Sequence, residues 1–76
     1  MNRNRRDELF KARHHLSVAI DIIERVTDQE QDALDNIPEN LQYSSRYEQM
    51  EDAISTMEDI CADLESAVSM LEAIGK

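Results

Sequence analysis

The chain has 76 residues, 17 of them acidic and 8 basic, and its formal charge is −9. It contains one Gly and one Pro, and turns are built mainly from Gly, Pro, Asn and Asp, so this composition excludes a many-turned sheet and favours long helices. The single cysteine excludes an intrachain disulfide, and no apolar run is long enough to span a bilayer.

The first predicted helix covers residues from about 6 to 36. Its apolar side chains recur every seventh residue in three rows, which together form a stripe wider than a dimeric coiled-coil seam. The rows are Leu9, Leu16 and Ile23; Ala12, Ala19, Val26 and Ala33; and Ile20, Thr27 and Leu34. Because Pro38 disfavours helical geometry at the residue before it, the helix should end near residue 35 or 36.

A loop of residues 37–44 follows, and a connection this short favours antiparallel neighbours. The second predicted helix covers residues 45–74. Ser45, followed three residues later by Glu48, fits a capping box at its start, and Gly75 would end it in a left-handed conformation. Its core positions are spaced alternately three and four residues apart: Tyr47, Met50, Ile54, Met57, Cys61, Leu64, Val68 and Leu71.

The sequence therefore predicts one all-α domain over residues 1–76, an antiparallel two-helix hairpin. Each helix offers about three apolar positions per heptad, more than one partner helix can cover. We expect the surplus to drive pairing of two copies into a four-helix bundle, or alternatively to dock a different protein. The residues predicted to carry self-association are Met50, Ile54, Met57, Ile60, Leu64, Leu16, Ile20 and Ile23.

The sequence does not suggest catalytic chemistry. His14 and His15 are adjacent, so on a helix they point roughly 100° apart and cannot share a metal ion. Cys61 falls at a core position with acidic and apolar neighbours, which favours a buried, unreactive thiol. We expect neither an enzyme nor a cofactor or metal site, and we expect a cytoplasmic location.

The charge is unevenly distributed. Residues 1–15 have a net charge of +3 and the remaining residues −12. The acids of helix 2 are either a solvating exterior or a row of carboxylates that imitates a nucleic-acid backbone and binds a basic protein. The predicted partner-binding residues are Glu51, Asp52, Glu58, Asp59, Glu65 and Glu72. Direct nucleic-acid binding would use Arg3, Arg5, Arg6 and Lys11, and the acidic remainder disfavours it.

The segment Leu34-Asp35-Asn36-Ile37-Pro38-Glu39-Asn40-Leu41, followed by Ser45-Arg46-Tyr47-Glu48 and acidic heptads, resembles small proteins of phages and prophages of Gram-positive gut bacteria. The resemblance covers about half of the chain and implies a phage setting in a bacterial host, with no assigned activity. Small acidic phage proteins often inhibit host defence enzymes. The leading hypothesis is therefore a non-enzymatic interaction module that inhibits a host defence or nucleic-acid-binding protein, and the alternative is an assembly adaptor that docks through its apolar face.

Overall fold

The computed structural model describes residues 1–75. They form two helices, α1 (Arg3–Asp35) and α2 (Ser45–Ile74), joined by a loop with one 3-10 turn at Glu39–Leu41. No strand occurs in this part of the chain, and the all-helical prediction is confirmed. Helix α1 begins three residues earlier than predicted, whereas α2 covers the predicted range.

Both helices begin at a polar cap. The side chain of Asn2 accepts a hydrogen bond from the Arg5 N–H at 2.9 Å. At α2 the cap is Ser44, whose hydroxyl oxygen accepts from the Tyr47 N–H at 3.2 Å. The predicted capping box from Ser45 to Glu48 is therefore wrong. Ser44 has the extended backbone that a cap requires, with φ −76° and ψ 157°, and Ser45 is already helical.

The helix ends differ in how well they match expectation. Helix α1 stops as predicted, and Asn36 closes it by donating from its side-chain amide to the Asp32 carbonyl at 2.9 Å. Helix α2 closes with a 3.0 Å bond from the Gly75 N–H to the Leu71 carbonyl. Gly75 has φ −85° and ψ 0°, so the predicted left-handed conformation is wrong.

The two helices lie side by side in opposite directions. A depression at one end is lined by Arg3 and Leu9 of α1 together with Leu71 of α2. A depression toward the loop is lined by Leu34 of α1 and Ile54 of α2. The molecule measures 60 × 14 × 13 Å, so it is one layer of helices thick.

The core is the seam between the helices. All eight predicted core positions of α2 are buried or half-buried, which confirms the three–four spacing. The most buried side chains are Ile20, Leu34, Ile54 and Cys61, each with 6–8% of its surface exposed. A single seam cannot cover the wide apolar stripe of α1: Ala12 and Ala19 are half-buried, and Val26 and Ala33 are exposed.

Candidate interaction surfaces

One long side of the hairpin is lined by carboxylates from both helices, and we name it the acidic side. A shallow depression near its middle is lined by Glu24 and Asp28 of α1 and by Glu58 and Glu65 of α2. Glu58 also lines the next depression toward the loop. The acidic side as a whole comprises Glu24, Asp28, Glu51, Glu58, Glu65 and Glu72.

Heptad spacing produces this arrangement. On α2 the four glutamates are seven residues apart, or about 10.5 Å along the helix axis, and they flank the seam on one side. Helix α1 contributes Glu24, because antiparallel packing brings corresponding flanking positions of two helices together. The sequence pattern predicted an acidic face on α2 alone and did not indicate that Glu24 and Asp28 of α1 contribute to it. The available signal was that Glu24 immediately follows Ile23 in the apolar stripe.

The six predicted partner-binding carboxylates lie on two different surfaces of α2. All of them are exposed. Glu51, Glu58 and Glu65 line the acidic side beside carboxylates of α1, and Glu72 lines its end beside Arg13 and His14. Each of the two aspartates follows one of these glutamates directly, so it lies roughly 100° further around α2, on the outer surface of that helix. These two are Asp52 and Asp59.

The central depression of the acidic side is lined by four carboxylates and by no basic side chain. Toward the free ends, Glu72 lines a depression together with Arg13 and His14. Among residues 1–75 the one ion pair joins Lys11 and Glu8, whose nitrogen and oxygen are 3.2 Å apart near the free ends of the helices. No buried side-chain nitrogen or oxygen in this range lacks a hydrogen-bond partner. The acidic side therefore presents solvated negative charge that is available to an external cation.

The charges of α1 oppose its own dipole. Its first turn has no acidic residue and its last turn no basic one. Instead, Arg3, Arg5 and Arg6 lie at its start, and Asp32 and Asp35 lie at its end. Each such charge is unfavourable by about 0.3–1 kcal/mol, because a helix carries partial positive charge at its N-terminus and partial negative charge at its C-terminus. This distribution does not maximise the stability of α1.

Cys61 lies beneath the acidic side. It is buried, as predicted, and it lines the same depression as Glu24 and Glu65. Burial, together with the negative charges of Glu24 and Glu65, raises the pKa of the Cys61 thiol above its ordinary value. The thiol therefore stays protonated at neutral pH and is a poor nucleophile.

The basic residues gather at the opposite end from the loop. Arg3, Arg6 and Arg13 surround the end of α2 near Gly75. This position favours cations because the last carbonyls of α2 are negative. The Arg13 guanidinium lies 5.3 Å from the centre of the Phe10 ring, in cation–π geometry. No group of three or more metal-ligating side chains occurs in residues 1–75.

The other long side, opposite the acidic side, is nearly free of charge, and we name it the apolar side. It is formed by the two rows that flank the seam there. Their largest exposed members are Val26, Ile60 and Ile74, with 44%, 41% and 56% of their surfaces exposed. The full rows are Ala12, Ala19, Val26 and Ala33 on α1, and Ala53, Ile60, Ala67 and Ile74 on α2.

Most residues predicted for self-association belong to the seam of a single chain. Ile20 and Ile54 are buried there, and Ile60 alone among the eight is exposed. The others are half-buried: Met50, Met57, Leu64, Leu16 and Ile23. Self-association stays a prediction. A second copy would contact the apolar side, to which Ile60 belongs, before it contacted the other seven residues.

No protein-family model, curated protein or solved structure matches this chain. No helix within residues 1–75 combines the length and apolar character needed to cross a bilayer. The functional interpretation therefore depends on the acidic side, the apolar side and the basic end.

Proposed function

We propose that this chain is a phage-encoded, non-enzymatic interaction module that binds a basic protein through its acidic side. The observation that carries this proposal is the meeting of carboxylates from both helices in the central depression of the acidic side, which no basic side chain lines. Such a surface attracts and orients cationic partners. We further propose that it acts in the cytoplasm of the bacterial host.

The charge density favours a partner that normally binds nucleic acid. Residues 21–63 contain thirteen acidic and two basic residues, a net charge of −11. They occupy the half of the hairpin nearer the loop, about 30 Å of its 60 Å length. One net charge per roughly 3 Å is close to the 3.4 Å phosphate spacing of a nucleic-acid strand. These charges lie all around that half of the hairpin, so a basic groove that binds such a strand would also accept it, with the acidic side as one of the contacting surfaces.

The reversed charges of α1 support a functional rather than a merely solubilising role. A solubilising exterior could have placed its acids anywhere, including the first turn of α1, where they would stabilise the helix. Instead, the acidic residues Asp32 and Asp35 lie in the last turn of α1, next to the loop. Local departures from the stabilising arrangement are expected mainly where function requires them.

The alternative is an assembly adaptor that docks on another helix through the apolar side. The exposed side chains of Val26, Ile60 and Ile74 favour it. The two functions use different sides of the hairpin, so one molecule can perform both. In particular, pairing of two copies into a four-helix bundle would leave both acidic sides outward.

The experiment is affinity capture from lysate of a bacterial host, followed by mass spectrometry. The test variant combines Glu24→Gln, Glu58→Gln and Glu65→Gln. The control variant combines Asp7→Asn, Glu8→Gln and Asp63→Asn, which removes the same charge outside the acidic side.

The wild type and the control should capture a basic protein, the test variant should not, and capture should weaken as salt concentration rises. Equal capture by both variants would contradict the proposal. Capture that persisted at high salt would count against a mainly electrostatic interaction.

A further inference from the structure

We infer that the apolar side binds a second copy of the chain, antiparallel to the first, with the end of each hairpin that bears the arginines beside the acidic loop end of its partner. This inference deepens the self-association part of the proposed function by naming the surface and the orientation. Three features of the described residues support it: the pattern of large and small side chains, the distribution of charge, and the area available.

The two apolar rows lie level with each other along the hairpin. The depressions on the acidic side place residues 24–28 beside residues 58–65, and residues 31–35 beside residues 47–58. Val26 is therefore level with Ile60, and Ala33 with Ala53. Continuing one heptad at a time toward the free ends, Ala19 is level with Ala67, and Ala12 with Ile74. Ridges that contain isoleucine alternate with hollows that contain only alanine.

This pattern is self-complementary only when two copies run in opposite directions. A two-fold axis between the levels of Ala19 and Val26 lies near the middle of the hairpin, so the two copies overlap along nearly their whole length. It brings each α1 against the α1 of the other copy and each α2 against the other α2. Ile60 then faces Ala67 and Ile74 faces Ala53 on α2. In the parallel arrangement, ridges would face ridges and hollows would face hollows. Close packing requires large side chains to face small ones.

Charge selects the same orientation. Residues 1–20 and 64–75 contain five basic and four acidic residues, a net charge of +1, whereas residues 21–63 have a net charge of −11. A parallel pair would place the two −11 halves against each other. An antiparallel pair places each beside a half with a net charge of +1, and like-charge contact disfavours the parallel arrangement. The carboxylate nearest the axis is Asp63, which is exposed at the outer rim of α2.

The available area fits a stable dimer. The whole face of the hairpin that contains the apolar side measures 60 by 14 Å, roughly 800 Å², which is what each partner buries in a standard-size interface. The apolar rows extend over about 32 Å of that length, at its centre. None of the eight side chains that form the two rows is charged. The rows run from Ala12 to Ala33 on α1 and from Ala53 to Ile74 on α2. The pair would also add a second layer of helices, and stable domains usually have two.

The first test is sedimentation equilibrium at micromolar concentration. The wild type should have twice the 8.8 kDa mass of the chain. Ile60→Glu should reduce it to the monomer mass. Val18→Glu should leave the dimer intact, because Val18 has 43% of its surface exposed, close to the 41% of Ile60, but lies on the outer surface of α1.

Because Ile60 is exposed in the single chain, its substitution should leave the helices folded, and circular dichroism verifies this. Ala33→Glu, at another exposed position of the apolar side, should dissociate the dimer equally. A monomeric wild type would overturn the inference and leave the apolar side to a different protein. Equal dissociation by Val18→Glu and Ile60→Glu would overturn the assignment of the surface.

The second test determines orientation by disulfide cross-linking in a Cys61→Ala background. The antiparallel pair brings Ala12 of one copy close to Ala33 of the other. A mixture of single variants Ala12→Cys and Ala33→Cys should therefore form the mixed disulfide, with few homodimers of either. A parallel two-fold pair would instead place α1 of one copy against α2 of the other and bring Ala33 close to Ala53. A mixed disulfide between Ala33→Cys and Ala53→Cys, with none between Ala12→Cys and Ala33→Cys, would therefore overturn the inference. The triple glutamine variant of the acidic side should remain dimeric, so loss of partner capture and loss of dimerisation are separately measurable.

Discussion

Reversing the charge of Glu58 should stabilise the hairpin and weaken its binding to a basic partner. Glu58 lines two neighbouring depressions of the acidic side, so it has other carboxylates on both sides of it along the hairpin. Its neighbours include Glu24 and Asp28 of α1 and Glu51 and Glu65 of α2. Glu58→Lys replaces several weak repulsions by attractions on an exposed surface.

The expected gain is modest because these groups are solvated. Exposed ion pairs contribute about 0.2–1 kcal/mol each, and a lysine at this position could pair with only one or two carboxylates at a time. We therefore expect the free energy of unfolding to rise by about 1 kcal/mol at low salt. For a domain of this size, that corresponds to a rise in Tm of roughly 4–8 °C.

The assay is thermal unfolding followed by circular dichroism at low and at high salt. The control is Asp59→Lys, which changes the net charge by the same amount at the next residue but lies outside both depressions. Glu58→Lys should raise Tm more than Asp59→Lys does, and the difference should shrink in high salt because mobile ions screen exposed charges. Equal effects of the two variants, or a gain that persists in high salt, would refute the electrostatic interpretation of the acidic side.

Three further predictions concern the seam, the cap and the thiol. Ile54→Ala should lower the free energy of unfolding by about 2–5 kcal/mol in urea titration, because Ile54 is buried, whereas Val18→Ala should change it far less. Ser44→Ala should cost about 0.5–2 kcal/mol in the same titration and Ser45→Ala only a few tenths, since Ser44 alone accepts the capping hydrogen bond. Burial and the charges of Glu24 and Glu65 raise the folded-state pKa of Cys61 above that of the unfolded chain, so the unfolded chain loses its thiol proton first. This contribution to stability should be fully present below the unfolded-state pKa and should be lost as the pH rises through the folded-state pKa. Urea midpoints at several pH values check this prediction, and Cys61→Ala should remove that part of the pH dependence.

The sequence allowed the seam of α2 to be predicted residue by residue, because one unbroken three–four spacing has one geometric solution. The end of α1 was predictable for a similar reason, since Pro38 leaves the preceding residue little freedom. The start of α2 was not. Ser44 and Ser45 are equally good caps by composition, and only the backbone conformation distinguishes them. The resulting error was one residue.

The interaction surfaces were less predictable than the helices. The wide stripe of α1 revealed that apolar side chains exceed one seam, but periodicity alone does not say which row faces α2. Predicted self-association residues such as Ile20 and Ile54 consequently lie in the seam, and the exposed Val26 was not among them. The contribution of Glu24 to the acidic side depends on contacts between two helices, which the pattern of either helix alone does not contain.

The uneven burial along the seam has a consequence for how the molecule opens. Three of the four most buried side chains, Leu34, Ile54 and Cys61, lie in the half of the hairpin nearer the loop, and the fourth, Ile20, lies near the middle. Side chains near the free ends, such as Leu9 and Leu71, are only half-buried. Local opening requires least free energy where few apolar contacts are lost. Amide hydrogen exchange should therefore be fastest near Leu9 and slow progressively toward Leu34. Folding would start at the loop, and packing of the two helices would then proceed toward the free ends. The arginine-bearing end would be the last part to pack and the first to separate.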